Sequence, residues 1–251
     1  MSKRDVGLRA YSPWRSSRVG GGRLGVGYPT GFEAPAPSSR RVASHLAHAL
    51  ECGVLEELPF RHWILHDVFP EETARALEAL PGPPPFEGPS GARELHNADR
   101  RYFDADAIKT TPICSSVARA IQSARVRQAI ENLTGARLSD CYLRIEYAQD
   151  LDGFWLEPHT DLGVKVFTLL YCLPENETQV DLGTDLYWDH ERWAKRLPFE
   201  RGAALVFLPS DCTWHGFAPR PIASIRRLLI VNYVTAAWRS REQLAFPQDP
   251  A

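Results

Sequence analysis

The order of secondary-structure patterns along the chain limits its possible folds more than any other feature. Helical periodicity of apolar residues dominates before Leu138, whereas short β-rich runs separated by turns follow it. Such runs are typical of a sandwich or barrel. Helices that precede strands, with no repeated β-α alternation, favour an α+β layout over a doubly wound parallel sheet.

Local patterns predict several elements in the first half of the chain. Apolar residues recur at helical spacing as far as Leu55, and Pro70 is suited to the first turn of a helix. The sequence predicts a helix over 38–58, a strand over 63–69, a helix from Pro70 to Pro81 and a helix over 112–133 that ends at Gly135.

Residues 1–37 differ in composition from the rest of the chain. Arginines there are interspersed with glycines and followed by prolines, and such a composition buries little apolar surface. We therefore predict a disordered extension over 1–37 and a single domain over 38–251. A chain of 251 residues with 44% hydrophobic residues can build a large core.

Charge and cysteine content exclude several classes of protein. The formal net charge is −2 and no block of basic residues stands in a nucleic-acid motif, so we expect no nucleic-acid partner. No apolar run approaches the length of a membrane span, so we expect no membrane partner either. The five cysteines are scattered and lack a CxxC pair, which is typical of reduced thiols and favours a cytoplasmic protein. Nothing in the sequence indicates an oligomeric state.

Three residues form the strongest candidate for a metal site. His159 and Asp161 are two residues apart, so that in an extended segment their side chains project to the same side. His215 follows a later β-rich run and can close the site from another strand. Two imidazoles and one carboxylate occupy one face of a metal ion and leave the opposite positions open, as non-haem Fe(II) oxygenases require. A histidine taken singly is more often a surface residue, so the prediction depends on the combination.

An arginine follows the distal histidine at the head of another β-rich run. Either Arg226 or its neighbour Arg227 could face the interior, because strand alternation places the two on opposite faces. The ordered combination of HxD pair, distal histidine and following arginine covers about 140–238. In this combination the chain resembles the Fe(II)/2-oxoglutarate-dependent oxygenases, particularly the branch that includes the prolyl hydroxylases.

The resemblance implies a fold, a reaction and a set of cofactors. The fold would be a double-stranded β-helix, a jelly-roll barrel with its core at about 140–238, buttressed by the N-terminal helices. His159, Asp161 and His215 would bind Fe(II) as the catalytic centre. The cosubstrate 2-oxoglutarate would chelate the iron, and O₂ would take the last position, with ascorbate as a candidate reductant. Alignment with the family selects Arg226 for the far carboxylate of 2-oxoglutarate, which a guanidinium can bind through two parallel donors.

The resemblance also suggests two further cosubstrate contacts. Tyr147 stands where many relatives carry a tyrosine that hydrogen-bonds 2-oxoglutarate, and Thr168 lies on the strand after the HxD turn. Barrel packing is an alternative interpretation of both residues. Where some relatives have a second tyrosine in contact with the cosubstrate, this chain has Cys172, with Tyr171 facing away.

The predicted reaction is oxidation of a C–H bond, with hydroxylation as the commonest outcome in the family. The compact chain shows no peptide-binding module, which favours a small-molecule substrate over a polypeptide substrate of the prolyl-hydroxylase kind. A cupin-like metal protein that is not an oxygenase is a further alternative. Candidates for binding an anionic group of the substrate are Arg93, Arg100, Arg101, Arg144 and Arg220.

Overall fold

The computed structural model describes residues 37–81, 91, 100–161 and 163–251. Contacts group residues Pro35–Ala251 into one compact unit. The predicted disordered extension lies, apart from residue 37, outside the described residues, as do Arg93 and most of the loop that follows Pro81. Within the described residues, no helix combines the length and apolar character needed to cross a membrane.

In the part of the chain that the structure describes, five α-helices precede the long strands. They are α1 (Ser39–Glu51), α2 (Glu71–Glu78), α3 (Ala105–Thr110), α4 (Pro112–Gln122) and α5 (Ala124–Thr134). The helix predicted over 38–58 ends earlier, at Glu51, and Leu55 belongs to a strand instead. The helix predicted over 112–133 is two helices, because the Ser123 hydroxyl accepts a hydrogen bond from the Val126 backbone N–H and caps a new helix. Gly135 ends α5 with φ of 77°, as the sequence predicts.

Among the described residues, eleven strands form two sheets, and the pairs of these strands are all antiparallel. The strands are β1 (Val54–Glu56), β2 (His62–Leu65), β3 (Arg101–Tyr102), β4 (Tyr142–Asp150), β5 (Leu156–His159), β6 (Lys165–Leu173), β7 (Asp185–Tyr187), β8 (Trp193–Arg196), β9 (Ala204–Phe207), β10 (His215–Phe217) and β11 (Arg226–Val234). The large sheet has the order β1-β2-β9-β6-β11-β4-β3 and the small sheet β5-β10-β7-β8. The predicted α+β layout is confirmed.

The two faces of the large sheet differ in what covers them. One face packs against the helices in the main hydrophobic core, which includes Ile145, Tyr171 and Val231. The Tyr233 hydroxyl on this face donates to the Ile121 carbonyl of α4 at 2.9 Å. Successive residues of a strand project to opposite faces. The strand residues that alternate with these helix-facing residues therefore project from the opposite face of the sheet. That opposite face and the small sheet line a cavity.

Candidate metal centre and cavity

The small sheet brings the two candidate histidines together. His159 ends β5 and His215 begins β10, and the two residues lie directly opposite each other in the antiparallel pair. Their ring centroids are 4.4 Å apart. Asp161 follows β5, and potential ligand atoms of all three side chains lie within 4.8 Å of one another. The three ligands predicted from the sequence therefore meet at one point.

Hydrogen bonds to backbone carbonyls orient both imidazoles. Nδ1 of His159 lies 2.9 Å from the Glu157 carbonyl oxygen, and Nδ1 of His215 lies 2.9 Å from that of Thr213. An Nδ1–H that donates to a carbonyl leaves the lone pair on Nε2, the nitrogen that can bind a metal. Burial, together with the nearby His159, lowers the pKa of His215 to about 3, which keeps its imidazole neutral.

Two residues of β6 orient the Asp161 carboxylate. The Thr168 hydroxyl donates to Oδ2 at 3.0 Å, and the Lys165 ammonium contacts Oδ1. Asp161 is only 8% exposed, so these contacts help to stabilise its charge. Two imidazoles and one held carboxylate are a donor set that fits Fe(II).

The cavity extends from this cluster to Arg226, between the two sheets. The space between its walls, including space open to solvent, is about 700 Å³. Apolar side chains such as Phe154, Leu170 and Phe217 line part of it, and charged side chains line the rest. The cavity therefore offers a charged end and an apolar surface next to the candidate metal ligands.

Arg226 faces the cavity and Arg227 faces away from it. Arg226 is 3% exposed, and its Nε donates to the Leu182 carbonyl at 2.7 Å. Its guanidinium also stacks over the Phe217 ring at 4.3 Å. Arg227 instead pairs with Glu175 at the outer side. Of the two arginines, Arg226, which the alignment with the family selected, is the one that lines the cavity.

The structure corrects the prediction for Tyr147. Its side chain is fully buried in the helix-facing core, on the opposite face of β4 from the cavity, and so it is not placed to contact a cosubstrate. Burial raises the pKa of this phenol to about 12. Thr168 does face the cavity, but its hydroxyl is held by Asp161 and Asn232. As predicted, Tyr171 faces away from the site; Cys172 lies on the cavity side of β6.

The sequence did not predict a chain of buried charges on the cavity face of β4. Arg100 lies 3.4 Å from Glu146 and 3.1 Å from Asp150, and Asp150 in turn accepts from Arg226 at 2.6 Å. Arg144 donates to Glu146 at 2.6 Å. Strand alternation could have revealed this chain, because Arg144, Glu146 and Asp150 alternate with residues of the other face that include the apolar Ile145 and Tyr147.

The same chain continues to the candidate metal centre. Arg144 donates to the Asn232 side-chain oxygen at 3.2 Å, and the Asn232 amide donates to the Thr168 hydroxyl at 2.9 Å. Thr168 then donates to Asp161. Of the other candidate arginines, Arg101 bonds the Pro81 carbonyl, and Arg220 pairs with Asp185.

The fold defined by these sheets and helices is similar to that of a solved prolyl 4-hydroxylase. A prolyl 4-hydroxylase from Phytophthora capsici superimposes with a TM-score of 0.55 at 14% sequence identity, covering 84% of this chain and 70% of that chain. A prolyl-4-hydroxylase from Pseudomonas putida gives 0.47 at 18% identity, over 80% and 98% of the two chains. HygX from Streptomyces hygroscopicus, with nickel and 2-oxoglutarate bound, gives 0.46 at 13% identity, over 71% and 84%. No protein-family model and no curated protein matches the sequence.

The resemblance to the prolyl-hydroxylase-like oxygenases is thus confirmed at the level of the fold, by the similarity to the Phytophthora capsici enzyme. The identity is too low for the reaction to be carried over from that enzyme. The reaction is inferred below from this chain's own site.

Proposed function

We propose that this protein is an Fe(II)- and 2-oxoglutarate-dependent dioxygenase that hydroxylates a C–H bond of a small molecule and releases succinate and CO₂. The observation that carries the proposal is the meeting of His159, Asp161 and His215 beside a cavity that also contains Arg226. The class requires this donor set with open metal positions, together with a cation for the far carboxylate of the cosubstrate.

Each of these residues has a separate task. The two histidines and Asp161 would bind Fe(II) on one face, and Thr168 and Lys165 hold the carboxylate in place. Fe(II) and 2-oxoglutarate, when bound, supply the activation of O₂ that puts one oxygen atom into the substrate and the other into succinate. Arg226 would bind the far carboxylate of 2-oxoglutarate, and ascorbate would serve as a reductant.

The charged and apolar parts of the cavity favour a small-molecule substrate. Besides the candidate metal ligands and the charged side chains, the cavity is lined by apolar side chains, among them Phe154, Leu156 and Leu170. Apolar walls place a hydrocarbon part of the substrate near the metal and exclude water from it. A polypeptide substrate is the alternative that a substrate screen would test.

The remaining parts of the proposal concern the architecture and location of the protein. We infer that the two antiparallel sheets are the halves of a double-stranded β-helix and that residues 38–251 form the single catalytic domain. A cytoplasmic location agrees with the five cysteines, all of which are unpaired.

The test is conversion of 2-oxoglutarate to succinate by the reduced, iron-loaded protein, measured with and without pools of small metabolites and of peptides. We expect slow succinate formation without substrate and faster formation with a small-molecule pool, accompanied by a product 16 Da heavier, one oxygen atom. His159→Ala, Asp161→Ala and His215→Ala should each lose this activity while the protein still folds.

Other results would lead to other conclusions. Stimulation by the peptide pool alone would assign a polypeptide substrate. Absence of both 2-oxoglutarate binding and succinate formation would favour a metal-binding barrel that is not an oxygenase. Full activity of His215→Ala would contradict the assignment of the metal ligands.

A further inference from the structure

We propose that Asp150 is a resident counter-carboxylate that competes with the cosubstrate for Arg226 and thereby sets the affinity for 2-oxoglutarate. The inference rests on the proposed function, in which Arg226 binds the far carboxylate of that molecule. In this inference Arg226 increases the affinity for the cosubstrate, whereas Asp150 limits it.

The strand register places Asp150 against Arg226. The two residues are direct partners in the antiparallel pair of β4 and β11, and both project into the cavity. Asp150 Oδ2 accepts from Arg226 Nη1 at 2.6 Å, and both side chains are almost fully buried. A charge-assisted hydrogen bond at this distance is of the strong kind.

The donors of Arg226 are partly engaged before any ligand arrives. A carboxylate binds a guanidinium most strongly through two parallel N–H groups, either Nε with Nη2 or Nη1 with Nη2. Leu182 accepts from Nε and Asp150 accepts from Nη1. Each two-pronged edge therefore has one nitrogen already bonded. An incoming carboxylate must displace one of these partners or accept a less complete contact.

The charges along the cavity face favour the entry of one carboxylate and also limit its affinity. Arg144, Glu146, Arg100, Asp150 and Arg226 alternate in sign, with three cations and two carboxylates. A carboxylate at the Arg226 end continues the alternation and balances the excess positive charge. It would, however, share its guanidinium with the nearby Asp150 carboxylate, and two like charges repel each other strongly where water is excluded.

Arg100 moderates this competition. Its Nη1 lies 3.1 Å from Asp150 Oδ1, so the Asp150 charge is divided between two guanidinium groups. The Arg100 side chain is only 10% exposed, and water therefore screens this contact little. Without Arg100, the carboxylate would interact with Arg226 alone and hold it more tightly.

The experiment compares two ligands that differ only in the far carboxylate. The full chain is loaded with Ni(II), and the dissociation constants of 2-oxoglutarate and 2-oxopentanoate are measured by calorimetry. The dissociation constant of 2-oxopentanoate divided by that of 2-oxoglutarate is the affinity ratio, which reports the contribution of the far carboxylate. Asp150→Asn should raise this ratio on the order of tenfold, because the amide keeps an oxygen for Arg226 but lacks the competing charge. Arg100→Gln should lower the ratio severalfold.

Two further variants separate this effect from a general disturbance of the protein. Glu175→Gln removes the matching carboxylate of the outward pair with Arg227 and should leave the ratio unchanged. If Asp150→Asn does not fold, the double variant Asp150→Asn/Arg100→Gln restores the net charge of the cluster and should also have a ratio above that of the parent.

An unchanged or lower ratio in the folded Asp150 variant, single or double, would overturn the inference while leaving the proposed function in place. Equal affinity of the parent for the two ligands would instead contradict the role of Arg226 in the proposed function, and with it this inference.

Discussion

Two arginines that are neighbours in sequence have different environments because they lie on opposite faces of one strand. Arg226 is buried among Phe217, Leu182 and Asp150, whereas Arg227 pairs with Glu175 near the surface. Substitutions of Arg226 and Arg227 can therefore be compared directly, because each removes one positive charge from the same strand.

Replacing Arg226 with Ala should weaken 2-oxoglutarate binding about 30- to 150-fold. Loss of a charge-assisted contact with a carboxylate in a partly dry pocket costs on the order of 2–3 kcal/mol, at about 1.4 kcal/mol per tenfold change. Arg227→Ala and Tyr147→Phe should each change the affinity less than about twofold. Anaerobic titration of the Fe(II) protein measures all three. Loss of binding in Arg227→Ala with retention in Arg226→Ala would show that the strand register is shifted by one residue.

Strand alternation predicted that Arg226 and Arg227 lie on opposite faces, and it could have predicted the orientation of Tyr147. Leu143, Ile145 and Tyr147 form one apolar face, and Tyr147 accordingly packs against the helices. Family resemblance pointed to the opposite orientation for this tyrosine. The contact of Asp150 with Arg226 could not be predicted in this way, because it depends on how two strands separated by 76 residues align.

At the scale of secondary-structure elements, the metal centre depends on the close approach of β5 and β10. Gly216 follows His215, and a Cβ atom at this position would lie 2.7 Å from the Leu156 carbonyl oxygen and 3.0 Å from that of Glu157. Both obstructing atoms belong to the backbone of β5, so the strands would have to separate. The sequence indicated that another strand would supply His215, but not that its neighbour had to lack a side chain.

Gly216→Ala should therefore weaken metal binding on the order of 10- to 100-fold, as other disturbances of ligand orientation do. Calorimetric titration with Ni(II) measures the effect. Gly163→Ala is a suitable control, because a Cβ there would meet nothing within 4 Å, and it should bind the metal like the parent. Parent-like affinity in Gly216→Ala would mean that β5 and β10 can separate without moving His215.

At the scale of the whole molecule, the candidate ligand sites lie on different sheets. The candidate metal ligands belong to the small sheet and the residues that follow β5, whereas Arg226 belongs to the large sheet. A 2-oxoglutarate molecule that chelates the metal and pairs with Arg226 would join the two sheets across the cavity.

The melting temperature should therefore rise more with metal and 2-oxoglutarate than with metal and 2-oxopentanoate. A ligand at 100 times its dissociation constant stabilises the folded state by about 2.7 kcal/mol. For a chain of this size that is on the order of 5–10 °C. Thermal unfolding with Ni(II) and each oxoacid measures the difference. His215→Ala should show little stabilisation by either combination, and an equal shift with the two oxoacids would contradict a link between the sheets.

The alternating charges from Arg144 to Arg226 restrict how this cavity can change in evolution or by design. An added or removed charge leaves an unpaired ion in the interior, which costs about 3–5 kcal/mol, a large part of the stability of a typical domain. A substitution that removes a positive charge would therefore have to occur together, or nearly so, with one that removes a negative charge. We therefore expect Asp150 and Arg100 to be exchanged as a pair among homologous sequences, and a single substitution at either position to lower the melting temperature more than the double variant Asp150→Asn/Arg100→Gln does.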